Sequence, residues 1–187
     1  MSSEATPVPE PASEPTPHDA TRAITLWPEW VGAFALLDKR VENRTWRASS
    51  ALIGTYIALH AGMKTGGGEG VVRRIDGLQS VARIAVRAGW RVHRDGTLRR
   101  VVDGVTRSVR LTDLDAHRGA VVAIGRLVAC DDRDLTGWDV PGQFHWRFDD
   151  VHLLTPAAPM KGRQQVWVLQ DDERAAIRAA ELRRLTA

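Results

Sequence analysis

The chain has 187 residues, 43% of them hydrophobic and 26% charged, with a net charge of +3. That length suits one globular domain with some decoration, and no apolar run approaches the roughly 18 residues a membrane helix needs. The single cysteine, Cys130, cannot form an internal disulfide and fits a reducing, cytoplasmic setting.

Residues 1–20 carry Glu4, Glu10, Glu14 and Asp19 and no Lys or Arg, a local charge of −4. Their Ser, Pro, Thr and Ala content offers almost nothing to bury, and no apolar segment resembles a secretory signal. They read as a disordered tail with polyproline character, with order beginning near Thr21. Ala23 to Leu26 predicts a short strand. Pro28 then suits the first turn of a helix, where its missing N–H costs nothing, and Glu29 complements the helix dipole. Trp30, Phe34 and Leu37 follow at helical spacing and should face the core. Asp38 ends the helix.

Arg40 to Trp46 reads as a strand whose faces separate by parity: Arg40, Glu42, Arg44 and Trp46 against Val41, Asn43 and Thr45. Two guanidiniums, a carboxylate and an indole on one face mark either an exposed edge or the wall of a polar pocket. Lys39, at the helix–strand turn, can swing either way. Leu52 to Ala61 predicts the next strand, with Tyr56, Ala58 and His60 on one face and Ile57 and Leu59 on the other. Gly62 to Gly70 is a glycine-rich loop holding Lys64, and it lacks the Gly-Lys-Ser/Thr ending of a phosphate-binding P-loop.

Val71 to Ala88 predicts a helix with Val72, Ile75, Leu78 or Gln79, Ala82 and Val86 near its inner face, and Arg73, Arg74, Arg83 and Arg87 mostly outside. Trp90 to Leu111 reads as a three-stranded meander, since Asp95-Gly96 and Asp103-Gly104 are two-residue hairpin signals. Ten arginines stand against three aspartates within residues 73–110, a local charge of +7. Such a segment suggests an anionic partner, nucleic acid first; a merely solvated face reads about equally well. Gly119 to Cys130 predicts an apolar strand, Phe144 to Leu154 one or two more, and Val166 to Leu169 another. Asp171 should cap a final helix, with Asp172 and Glu173 in its first turn and Arg183 and Arg184 near its end. Many short strands with helices between them imply a mixed, barrel-like α+β fold.

No histidine pair has i,i+4 spacing, and one cysteine makes no zinc pattern, so neither a metal nor another cofactor is expected. The chemistry concentrates in Lys39, Glu42 and Arg44. A lysine beside a carboxylate in a partly dry pocket can serve as nucleophile or proton relay, the carboxylate as base, and an arginine as electrostatic stabiliser. The same residues could equally form a structural salt bridge. Trp27 and Trp46 suit stacking on a base. Lys161, Gly162, Arg163 and Gln164 pair two cations with a glycine that permits close backbone approach, either to an anion or in a turn. His60 by itself reads as a hydrogen-bonded structural histidine.

Taken together, Trp27-Pro28, then Lys39-x-x-Glu42-Asn43-Arg44-x-Trp46, His60-Ala61, Trp146 with Asp150-Val151, and Lys161-Gly162-Arg163-Gln164 before Trp167 resemble the ASCH family of the PUA-like superfamily. The likeness covers roughly residues 23–62 and 119–170 and leaves a basic insert at about 63–118 unmatched. It implies a small PUA-like β-barrel with flanking helices over residues 21–187, to which the insert adds a helix and a β-meander. It also implies a nucleotide or nucleic-acid ligand, RNA rather than DNA, with Trp27, Pro28, Trp46, His60, Lys64, Trp146, Lys161, Gly162, Arg163 and Gln164 around it. Some compact members resemble amidohydrolases that deacetylate N4-acetylcytidine; others are described as ribonucleases or RNA-binding modules. In the amidohydrolase motif a threonine stands three residues after the lysine. Here Lys39 and Arg44 match but Glu42 replaces the threonine, and a carboxylate cannot supply its hydroxyl.

Overall fold

The computed structural model describes residues 14–64, 66 and 71–185, without the side chains of residues 71–73. It is an α+β structure made mostly of strands, with a curled seven-stranded sheet, a separate three-stranded sheet and three α-helices among the described residues. Strand β1 (Arg22–Leu26) leads into α1 (Pro28–Leu36) and β2 (Val41–Arg44), then β3 (Tyr56–Ala61) and α2 (Val71–Arg87). The meander is β4 (Arg91–Val92), β5 (Thr97–Val102) and β6 (Val105–Arg110). The long strands β7 (Ala120–Asp131) and β8 (Phe144–Pro159) precede β9 (Val166–Val168), α3 (Asp171–Ala179) and β10 (Glu181–Arg184).

The large sheet runs β10-β8-β7-β3-β1-β9, with β2 also on β8. Only β1–β3 is parallel. Three register shifts between β7 and β8 bend this ladder, as β-bulges do, and let the sheet curl. The 16-residue β8 pairs with β2 through Phe144–Arg147 and with β10 through His152–Thr155. β2 and β10 thus share one edge of β8 along its length, while β7 pairs along the other. Such a sheet is compatible with a small barrel-like fold.

Burial follows the pattern of period 2 on the central strand. Ile57, Leu59 and Ala61 point into a core with Phe34, Val122, Leu127, Trp146 and Phe148, while Tyr56 and Ala58 join Ile124, Trp167 and Ile177 on the other face. A third core joins α1, α2 and the meander through Leu37, Leu78, Val81, Trp90 and Leu98. The indole Nε1 of Trp90 donates to Leu37 O (3.2 Å), so the insert is pinned to the end of α1. At Gly32 a Cβ would sit inside the backbone of Leu114, which is why α1 carries a glycine where the chain after the meander crosses it.

Several expectations shift. The reading of residues 1–13 as a tail lies outside the described residues, but order begins before Thr21: Pro17–Asp19 form a 3-10 turn whose Asp19 carboxylate accepts from Thr16 N (2.8 Å), and Ala20 is buried. The strand expected from Leu52 is a 3-10 turn, Ser50–Leu52, with β3 starting only at Tyr56. The inner face of α2 is Leu78, Val81, Ala82 and Ala85, whereas Ile75 and Val86 are about half exposed. Leu78 and Ala82 were expected there, but the apolar residues of this helix outnumber its buried positions, so spacing alone also drew in Ile75 and Val86 and missed Val81 and Ala85. Gln170 caps α3, its backbone N–H donating to Glu173 Oε2 (2.8 Å), and Arg183 and Arg184 lie in β10 on the sheet. β10 was hidden because its four residues are mostly polar and pair at an edge.

Candidate functional site

A cavity of about 660 Å³ opens between the C-terminal end of β1, the start of α1, β2, the first residues after β3 and the segment 163–165. Its lining includes Trp27, Lys39, Glu42, Arg44, Lys64, Arg163 and Gln164, all expected from sequence. The fold makes this convergence. β1 and β3 are parallel neighbours, so Leu26 and Ala61 end side by side and release Trp27 and Gly62–Lys64 at the same rim.

At the base, Lys39 is fully buried although nothing in its own strand register predicts it. The left-handed turn at Asp38 (φ 58°) swings it back under β2. Its Nζ donates to Val41 O and to Glu42 Oε2 (3.0 Å), and lies 4.2 Å from the centroid of the Phe34 ring. Burial holds the ammonium below the ordinary lysine range, and the Glu42 carboxylate opposes that shift. Glu42 also faces Arg44, with Oε1 3.3 Å from Nε. The Arg44 Nη2 donates to Thr25 O (3.1 Å), while its buried Nε lacks an aligned acceptor. The triad is therefore a cation–anion–cation row with one guanidinium N–H unspent.

The rest of the wall was less legible. Trp30, expected in the core, is half-buried and lines the cavity, 5.6 Å from Lys39 Nζ. Asn43, assigned by parity to the opposite face, also lines it. The Asn43 amide donates to Trp138 O (3.0 Å) and accepts from Val140 N (3.1 Å) and from His145 Nδ1 (2.9 Å), which holds the segment carrying Val140 and Gln143 against the site. The buried Asp139 carboxylate ties the same segment by accepting from Leu135 N and Thr136 N (both 2.6 Å). Thr25, Gln143 and Gln165 complete a polar wall. The Glu-Asn-Arg run was the only sequence signal that could have drawn in Asn43.

Six expected site residues, and Arg40 of the same predicted strand face, do not line the cavity. β2 is only four residues long, so Arg40 and Trp46 leave its face. Arg40 instead donates to Phe34 O (3.1 Å) and Lys39 O (2.8 Å). Trp46 packs edge-on against Trp146 at 4.7 Å, and Trp146, fully buried, donates to Trp46 O (3.3 Å): Trp146 is core and Trp46, half-buried, packs against it. Pro28 is buried at the first position of α1. His60 is 1% exposed, its Nε2 against Met160 O (3.0 Å), and burial lowers its pKa despite that bond. Gly162 does permit a close approach, but to His60, where a Cβ would lie 2.6 Å from Nδ1. Lys161 is exposed outside the lining. Arg163 reaches the rim while paired to Glu173 (2.9 Å) and stacked over Trp167 (4.6 Å).

Glu29 has a different role from the dipole partner expected of it. It is fully buried, and its Oε1 accepts from Gly66 N (2.6 Å), holding Gly66 beside Trp27. Burial raises its carboxyl above the usual range. Gly77 of α2 leaves the space that this carboxylate fills.

No protein-family model matches this chain, and a search of curated proteins gives no match.

Proposed function

We propose that the chain is an ASCH-type, PUA-like module that takes a nucleobase or nucleotide, RNA-derived before DNA-derived, into this cavity. One observation carries the reading: a cavity large enough for a nucleoside has a half-exposed indole, Trp27, at its lip and the Lys39–Glu42–Arg44 row at its base. An indole offers a stacking face to any base. The Arg44 guanidinium on the lining can donate to a ring carbonyl or phosphate oxygen, Glu42 can accept from an exocyclic amine, and Gln143, Gln164 and Gln165 add amides that both donate and accept. The cationic excess favours a ligand carrying phosphate, and the arginine-rich insert adds grip on further phosphates.

A second reading, a small hydrolase acting on a modified nucleoside or RNA, has the buried and pKa-lowered Lys39 in its favour. Against a nucleophilic role, Nζ is boxed by Val41 O, Glu42 and the Phe34 ring. In such an enzyme Lys39 would act as proton relay or electrostatic stabiliser and Glu42 as base.

Thermal-shift titration with modified and unmodified nucleosides and nucleotides, with chromatography of the same mixtures, tests both. Ligand binding to the folded state raises Tm. A shift abolished by Trp27→Ala, without product, supports the binding module. Product lost in Lys39→Met and Glu42→Gln supports the hydrolase. Neither shift nor product sinks both.

A further inference from the structure

We infer that the solvent face of the β4-β5-β6 meander is a docking surface for the sugar–phosphate backbone of a nucleic acid, independent of base identity. The idea rests on the nucleic-acid reading of the cavity and narrows where the chain beyond the base is held. Three arginines of the insert are already spent inside the fold. Arg74 bonds Asp115 in two places (2.5 and 2.6 Å), Arg87 donates to Gly137 O (3.3 Å), and Arg107 pairs with Asp38 and also bonds Leu36 O (3.4 Å). Arg87 and Arg107 hold the insert to the main body, Arg74 closes a contact within the insert, and none of the three is offered to a partner.

The outer face of the meander is different. Leu98 is fully buried, so its pairing partner Val109 shares the inward face, and Arg99 and Arg110 point the other way by alternation. Arg91 stands directly opposite Arg99, and Arg110 lies on the diagonal from Arg99, two residues along from Ser108. Directly opposed side chains sit about 5 Å apart at Cβ and diagonal ones about 7–8 Å. Three guanidiniums thus crowd one small face. Asp95 pairs with Arg99 (2.6 Å), whereas Arg91 and Arg110 engage no carboxylate among the described residues. Like charges opposite one another weaken a sheet, and this sheet carries a second such pair, Arg100 opposite Arg107. The fold gains nothing from Arg91 and Arg110, since neither is part of the core or its ties. A row of evenly spaced anions satisfies them, and the exposed Ser108 and Thr106 on the same face add hydroxyl donors for phosphate oxygens.

The test uses the full chain and a fluorescein-labelled abasic oligonucleotide, which presents phosphates with no base for the cavity. Anisotropy titrations over a salt series give the slope of log K against log salt. Each phosphate contact contributes about 0.7 to that slope on a single strand, so Arg91→Ser/Arg99→Ser/Arg110→Ser should lower it by about 2. The corresponding triple lysine variant should keep it, which separates lost charge from lost fold. An unchanged slope in the serine variant overturns the inference, as does poly-glutamate competing as well as the abasic strand at matched charge. The nucleoside melting shift is scored separately on the wild type: its absence defeats the cavity reading, while slope failure defeats only this face.

Discussion

The base of the cavity and the outer face of the meander both gather cations, yet they do so on opposite physical terms. Lys39 is desolvated and compensated by a carbonyl, a carboxylate and an aromatic face, whereas Arg91 and Arg110 stay in water and need no partner to be tolerated. A buried charge must be matched atom by atom, because the effective cost of uncompensated desolvation is several kcal/mol. An exposed charge costs little and contributes little, since pairs such as Arg99–Asp95 are worth about 0–1 kcal/mol. The first arrangement suits discrimination of one small ligand. The second suits a long, repetitive, salt-sensitive one.

The sharpest way to break that contrast is to unbalance the buried row. Glu42→Ala leaves Lys39 in a dry site without its carboxylate, and a loss of about 3–5 kcal/mol in denaturant unfolding is expected. If Glu42→Ala unfolds at the wild-type midpoint, the base of the cavity is wetter than its geometry indicates.

Next in size is Trp146→Ala against Trp27→Ala. Trp146 is fully buried in the core and Trp27 half exposed to solvent. The first should cost about 3–5 kcal/mol through lost burial and a cavity. The second should stay within about 0.5 kcal/mol while abolishing the nucleoside melting shift. Equal destabilisation would return Trp27 to the core.

Lys39→Met separates stability from ligand binding. The folded-state pKa of Lys39 lies below the unfolded one, so the unfolded chain binds more protons between the two values and stability rises with pH through that window. Replacing the ammonium by a methyl thioether should remove that rise and leave stability at neutral pH unchanged or higher, with the melting shift lost. Unfolding free energies of both proteins from neutral to alkaline pH decide it.

Tyr56 supplies the opposite sign. Burial, with the hydrogen bond to Asp150, pushes its hydroxyl up to about 12. Its contribution is complete below the ordinary tyrosine value of about 10 and is lost as pH climbs toward 12. Tyr56→Phe should flatten that alkaline decline. The smallest effect belongs to Arg99→Ser, whose change in stability should stay below about 1 kcal/mol.

Much of this molecule was legible in its sequence because it rests on local rules. Period-2 alternation identified both faces of β3, the Asp-Gly dipeptides placed both turns of the meander, and Pro28 opened α1. The clustering of Lys39, Glu42 and Arg44 also followed from their nearness in the chain. What tertiary structure alone decided were questions of depth and direction. Trp46 and Trp146 stack on each other because β2 stops after four residues. Gly162 makes room for His60 rather than a ligand because the 160–165 segment crosses the end of β3. Trp30 reaches the cavity from the first turn of α1, and Asn43 is held there by the 132–143 segment packed behind β2. Local pattern sets which residues share a face; which face meets solvent, core or cavity is set by elements distant in sequence, and no short-range rule carries that information.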